Sequence, residues 1–411
     1  METKGAGRSL AWLLATWAAT RTLLLLFVFR VYTFSDLDVT SDVSVTYRGW
    51  YEVLRQGTFP LDDVTWQYPP AAALPVLSPA ALPFLSYEHA FFLLAFLADA
   101  VVLVLLLSAH RRPGRSARGV WVWVAGVPLL GPTVYARYDV MVTAVAVAAL
   151  LAGARHPKAM GALTAFGALL KVWPALLLVG AVRRRAWWSA AVTASGLAAL
   201  FSLSMPGAFA FLTFQRDRGT EVESLGALFF HVARHFGWQG QVLLNYGSIE
   251  FVGPYVEQVS AAALALTLLA FGWLLLWRLR ASLWAPHTLA EAAFTAVLLF
   301  TVTSRVISPQ YMVWLVGLAA VCVSYRASRM GAPALMVVAA SFVTVLEFPV
   351  GFGHVVVSDG YGVLLLVLRN GLLVAASVTA ARRLWRSTVT PVPAAPLPPE
   401  PARSRQARVS P

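Results

Sequence analysis

Between Leu10 and Arg382 the chain repeats apolar runs of near membrane-spanning length, separated by short polar turns. A helix needs about twenty consecutive apolar residues to cross a bilayer. In lipid every backbone polar group must be satisfied within the chain, so these runs imply helices. Composition agrees, with 59% of the 411 residues apolar and only 12% charged, where soluble domains carry about a quarter charged residues. No polar linker divides the runs, so one all-α, polytopic membrane bundle over 1–386 is expected.

The net charge of +13 does not point to nucleic acid, because the arginines fall in short clusters between apolar runs. Arg111, Arg112, Arg115 and Arg118 form one cluster, Arg183 to Arg185 another, and Arg382, Arg383 and Arg386 a third. Basic loops of this kind stay on the cytoplasmic side. The single cysteine, Cys322, lies within an apolar run and reads as a small core residue. Lys4 and Arg8 precede an apolar stretch interrupted by Arg21 and followed by no small-residue cleavage pattern, so a retained first span is expected.

Placing every basic cluster inside gives about 12 spans with both termini cytoplasmic. The first span runs from about Leu10 to Arg30, and external loops cover about 32–87 and 206–256. Pro69 to Leu85 is apolar but proline-rich and short, which suits juxtamembrane helices at the outer face. In Gly161 to Val182, two half-helices meeting near Lys171 keep Arg183 to Arg185 inside, and Pro174 supplies the break. The tail from 387 to 411 is rich in Pro, Ala and Arg and is expected to be disordered.

The first external loop concentrates carboxylates and aromatic residues at the membrane surface. An Asp there suits a general base for an acceptor hydroxyl, and Trp50, Tyr51, Trp66 and Tyr68 suit stacking on sugar rings. An ordinary solvated loop with an interfacial aromatic belt has the same composition.

Motifs narrow this choice. Asp42 with Val43, then Tyr47, Trp50, Leu54, Gly57, Phe59-Pro60, Asp63 and Trp66-Gln67-Tyr68-Pro69-Pro70 follow in order. Further along come Arg137-Tyr138-Asp139, Ala168 to Pro174, Gln215-Arg216, Arg218-Gly219, Glu223-Ser224, Ser308 to Tyr311 with Trp314, and Arg369-Asn370. In this order the motifs resemble glycosyltransferase family 87, polyprenol-phosphate-mannose-dependent enzymes of the GT-C superfamily.

The resemblance implies a GT-C fold in the plasma membrane and an active site facing outside. It also implies a polyprenyl-phosphate sugar donor and a glycolipid or glycan acceptor. By that likeness Asp42 is the catalytic carboxylate, with Asp38 as fallback. Tyr47, Trp50, Trp66, Gln67, Tyr68, Glu223, Gln310 and Tyr311 are candidates for sugar or acceptor contacts.

Phosphate needs cations, and Lys171, Arg137, Arg216, Arg218, Arg305 and Arg369 are the candidates. Lys171 and Arg369 interrupt apolar runs, where a charge costs about 2.5 to 3.5 kcal/mol. Snorkelling, or an ion pair with Asp99 or Asp139, is the alternative for Lys171, behind phosphate binding; for Arg369 the two readings are even, and Arg21 suits a structural partner. No cofactor or metal site is required, although the first-loop aspartates leave room for a divalent ion. His231 and His235 are four apart but lack an acidic companion. The competing class is a secondary transporter or lipid flippase with Lys171, Asp99 and Asp139 as intramembrane charges. Polyprenyl-phosphate arabinose is the neighbouring enzymatic alternative.

Overall fold

The computed structural model describes residues 2–216 and 218–389. The element order is α1 (Glu2–Val28), α2 (Arg48–Leu54), α3 (Ala73–Leu77), α4 (Tyr87–His110), α5 (Arg118–Gly126), α6 (Asp139–Gly153), α7 (Pro157–Leu170), α8 (Arg184–Ser204) and α9 (Phe211–Arg216). There follow β1 (Thr220–Glu221), α10 (Ala227–Arg234), β2 (Gln241–Asn245), β3 (Ser248–Val252), α11 (Val256–Arg280), α12 (Thr288–Thr303), α13 (Tyr311–Val323), α14 (Gly331–Val345), α15 (Phe352–Val357) and α16 (Gly360–Thr388). The protein is a helical membrane bundle. Among the described residues, six helices combine spanning length with apolar composition: α1 from Ser9, α4, α8, α11, α14 extended to Val350, and α16.

Shorter apolar helices fill the centre. α13 buries every residue from Met312 to Val323, although its 13 residues rise only about 20 Å. Breaks near the shorter helices have local causes. Pro128 follows α5 and has no N–H to offer the carbonyl of Val124, so Arg21 of α1 donates to that oxygen at 2.8 Å. The same guanidinium pairs with Asp99 of α4 at 2.8 Å, and Asp99 also accepts from Trp123 and Tyr135 at 2.6 Å each. Arg21 therefore has a structural partner, and that partner is Asp99.

The second break is at Lys171, where α7 ends and a 3-10 segment from Trp173 to Gly180 leads back. Pro174 cannot donate to the carbonyl of Leu170, which accepts instead from the Tyr138 hydroxyl at 3.3 Å. With 14 residues, α7 rises about 21 Å, short of the roughly 30 Å hydrocarbon thickness. α7 packs closely on α8, because a Cβ on Gly161 would run into the carbonyl of Ala186.

One end of the bundle gathers the basic clusters. The Arg115 guanidinium lies 3.3 Å over the Tyr325 ring, Arg326 Nε donates to the Arg115 carbonyl at 2.8 Å, and Arg383 donates to the carbonyl of Arg329. Arg278 donates to Ala181, two residues before Arg183, at 2.9 Å. α5 leaves this end and α6 returns to it, so Arg137 and Asp139 lie at the opposite end.

The loop expected at 206–256 is more ordered than its composition suggests. It holds a three-stranded antiparallel sheet in the order β1-β3-β2. Tyr246 and Gly247, both with positive φ (47° and 76°), turn β2 into β3 as a two-residue hairpin needs. At the C-terminus α16 runs to Thr388, so residues 387 and 388 belong to the helix, and the tail from 390 onward lies outside the described residues.

Candidate active site

Asp42 opens a π-helical turn, Asp42–Tyr47, that leads straight into α2. Its carboxylate meets Arg137 at 2.6 Å and keeps 43% side-chain exposure, while Arg137 is almost enclosed. Arg137 also donates to the carbonyls of Val39 and Ala136, at 3.1 and 2.8 Å. Burial alone would lower the Arg137 pKa, but the facing Asp42 outweighs it and holds it above the ordinary arginine value. Asp38 is occupied otherwise, bonding Arg30 at 2.5 Å and the Thr40 amide and hydroxyl at 2.9 and 2.6 Å.

Lys171 is beside this pair. Its ammonium contacts Asp139 Oδ1 at 2.6 Å and is ringed by Tyr68, Tyr138, Tyr311 and Trp314, with centroids 5.1 to 5.7 Å away. Trp314 Nε1 donates to the same Asp139 oxygen at 2.6 Å. Tyr311 stacks on Trp314 at 4.0 Å, and Gln310, half-buried, precedes α13. Cation–π contact and one carboxylate thus account for the buried charge.

The second loop supplies the next cations. Arg218 bonds Glu250 at 3.3 Å and Ser248 at 2.6 Å, and lies within electrostatic reach of Lys171, Tyr68 and Tyr311. Arg305 donates to the Arg218 carbonyl at 2.8 Å. Both line a cavity of about 580 Å³ against the first turns of α11. Glu221 fastens this loop to the bundle by accepting from the Ile307 amide at 2.6 Å and the Ser308 hydroxyl at 2.8 Å.

Several expected contacts are redirected. Trp66 is fully buried, and Trp50 and Tyr47 nearly so. Trp50 and Trp66 meet edge to face at 5.1 Å, and Trp50 Nε1 donates to Asp63 at 2.8 Å. These rings form the loop's own core and offer no free face to a sugar. Gln67 is buried and donates to Val64 at 2.6 Å. Tyr68 remains half-buried beside Lys171.

Arg369 and Glu223 bind each other. Arg369 is fully buried, 3.3 Å from Glu223 Oε1 and 2.5 Å from Glu347 Oε2, and it also donates to the Glu223 carbonyl. Oxygens of Glu223 and Glu347 already satisfy its guanidinium. Burial, together with Glu347, pushes the Glu223 carboxyl well above its ordinary range. The Arg216 side chain lies outside the described residues.

His231 contacts the Ser358 hydroxyl and the Val222 carbonyl, both at 2.7 Å, and His235 contacts the Ser358 carbonyl at 2.8 Å. Burial depresses His231 to about 4. No metal-like cluster of three or more His, Cys, Asp or Glu occurs among the described residues.

The structure therefore brings Asp42, Arg137, Lys171, Tyr68, Tyr311 and Arg218 together and leaves Asp38 and Arg369 to the framework. Sequence reasoning missed Glu221 and Glu250 as anchors. Their signal was the placing of carboxylates in the same loop as Arg218.

The model of glycosyltransferase family 87 matches residues 66–309. No curated protein matches the chain. Among solved structures, the crystal structure of ArnT from Cupriavidus metallidurans bound to undecaprenyl phosphate is similar over 92% of this chain and 78% of that one, with 13% identity and a TM-score of 0.43. The family match begins downstream of Asp42 but takes in Arg137, Lys171, Arg218 and Glu221. Because it covers more than half of the 411 residues, the chain belongs to glycosyltransferase family 87.

Proposed function

We propose that the protein transfers mannose or a related sugar from a polyprenyl phosphate to a glycolipid or glycan acceptor at the outer face of the plasma membrane. The acceptor oxygen attacks the anomeric carbon while the bond from that carbon to the phosphate oxygen breaks. The phosphate leaves with the electron pair, the acceptor proton passes to Asp42, and the anomeric configuration inverts. Arg137 orients the Asp42 carboxylate. Arg218 and Arg305 are the cations assigned to the departing phosphate, and Lys171 with its aromatic ring shapes the floor near the sugar.

The carrying observation is the Asp42–Arg137 pair. A base must be oriented and still reachable. Asp42 is both, whereas Asp38 and Asp63 are tied up in loop-ordering bonds. The gathering of the basic clusters at the opposite end supports an external site under the positive-inside rule. Membership of glycosyltransferase family 87 supports the transferase reading.

The test is a reconstituted assay pairing polyprenyl-phosphate sugars with glycolipid acceptors, with products identified by mass and linkage. Wild-type protein should form a glycosidic bond and Asp42→Asn should not. Equal turnover by both would remove Asp42 from the role, and transport of lipid-linked sugar without any new bond would overturn the enzymatic reading.

A further inference from the structure

α10 has two dissimilar faces. Ala227, Phe230 and His231 are buried, with the Phe230 ring 5.3 Å from Phe251 of β3. Phe229, Val232 and, just past the helix, Phe236 are spaced by three and four residues and stand on the other side, with Phe236 86% exposed. An apolar stripe of this kind in contact with water calls for a partner.

The level of α10 in the molecule identifies that partner. Arg234 donates to the Val356 carbonyl at 2.7 Å and the Ser358 hydroxyl at 2.8 Å, and His235 contacts the Ser358 carbonyl at 2.8 Å. Ser358 lies two residues before the start of α16, a helix of spanning length. The exposed apolar residues of α16 begin at once with Tyr361, Leu364 and Leu368. α10 is therefore held at the rim of a membrane helix, where headgroups meet acyl chains. Aromatic side chains favour that boundary.

We propose that α10 is a lipid-docking helix whose Phe229, Val232 and Phe236 enter the headgroup–acyl boundary of the adjoining leaflet. Phospholipid is the occupant because the stripe is at the level of a lipid-facing helix surface. The same loop carries Arg218 and Glu221, so lipid contact fixes its height over the bilayer. The inference stands on the membrane span and does not need the catalytic reading.

Cys322 is buried within α13, so a cysteine introduced elsewhere can be labelled selectively. Phe236→Cys and Val232→Cys would carry an environment-sensitive fluorophore in nanodiscs of phosphatidylethanolamine and phosphatidylglycerol. Asp62→Cys on the first external loop serves as the water-exposed control. The expected result is blue-shifted emission at 232 and 236, quenched by brominated acyl chains and shielded from iodide, with the reverse at 62. Iodide quenching at 232 and 236 equal to that at 62 overturns the proposal. So does shielding from both quenchers that depends on protein density, which would mean contact with a second copy.

Discussion

Lys171 and Asp139 meet across 2.6 Å inside a ring of four aromatic side chains. Removing one partner leaves a buried charge alone, which costs about 3 to 5 kcal/mol. Lys171→Met and Asp139→Asn should each lower thermal stability in detergent by that order, and the double variant should recover much of the loss. Additive losses in the double variant would show that the two residues do not act as a pair.

Asp42→Asn should lower turnover by about a hundred- to ten-thousand-fold, the usual worth of a positioned base. Asp38→Asn should keep most of the turnover and lose about 1 kcal/mol of loop stability, because Asp38 serves the Thr40 amide and hydroxyl. Assays with matched expression levels compare the two. An inactive Asp38→Asn beside an active Asp42→Asn would reverse the assignment.

Glu223 makes stability fall as pH rises. Its folded pKa lies above the unfolded value of 4.5 because of burial and the neighbouring Glu347. Above pH 4.5 the unfolded chain therefore gives up a proton that the folded chain keeps. Glu223→Gln should flatten this decline, read as melting temperature against pH or as amide exchange over 220–226. A slope unchanged by the substitution would place the titration elsewhere.

His231 acts in the opposite sense. Its pKa drops from 6.5 in the unfolded chain to about 4 on burial, so stability is lost as pH falls between those values and levels off below them. The full effect is about 3 kcal/mol. His231→Asn should remove this acid limb while leaving the alkaline decline from Glu223. The two windows overlap between 4.5 and 6.5, so the variants must be measured singly and together.

Gly161→Ala should destabilise the contact between α7 and α8 by about 1 to 3 kcal/mol, because the new methyl group meets the Ala186 backbone. Gly196, with nothing near its Cβ direction, is the control, and Gly196→Ala should be neutral or slightly stabilising. Melting curves of the two variants decide the point.

Much of the helical layout was legible because apolar periods, prolines and arginine clusters are local signals. The break at Lys171 followed from Pro174. What stayed hidden depends on distant pairing. Arg369 meets Glu223 across 146 positions, and nothing near either residue announces it. Trp50 and Trp66 looked like surface aromatics because composition cannot tell a belt from a small core. The β2–β3 hairpin did leave a trace, in the alternation around Asn245-Tyr246-Gly247-Ser248, but the surrounding polarity read as loop.

Arg369 grips both the carbonyl and the carboxyl of Glu223 while standing on α16. That bond makes the segment around Glu223 mechanically continuous with the tilt of a lipid-embedded rod. A thicker or thinner bilayer that leans α16 carries Glu223 with it, and through the short strand β1 displaces the anchoring side chain of Glu221 and the arginine beside it. Acyl-chain length is thereby a variable that reaches Arg218, the cation proposed above for the phosphate.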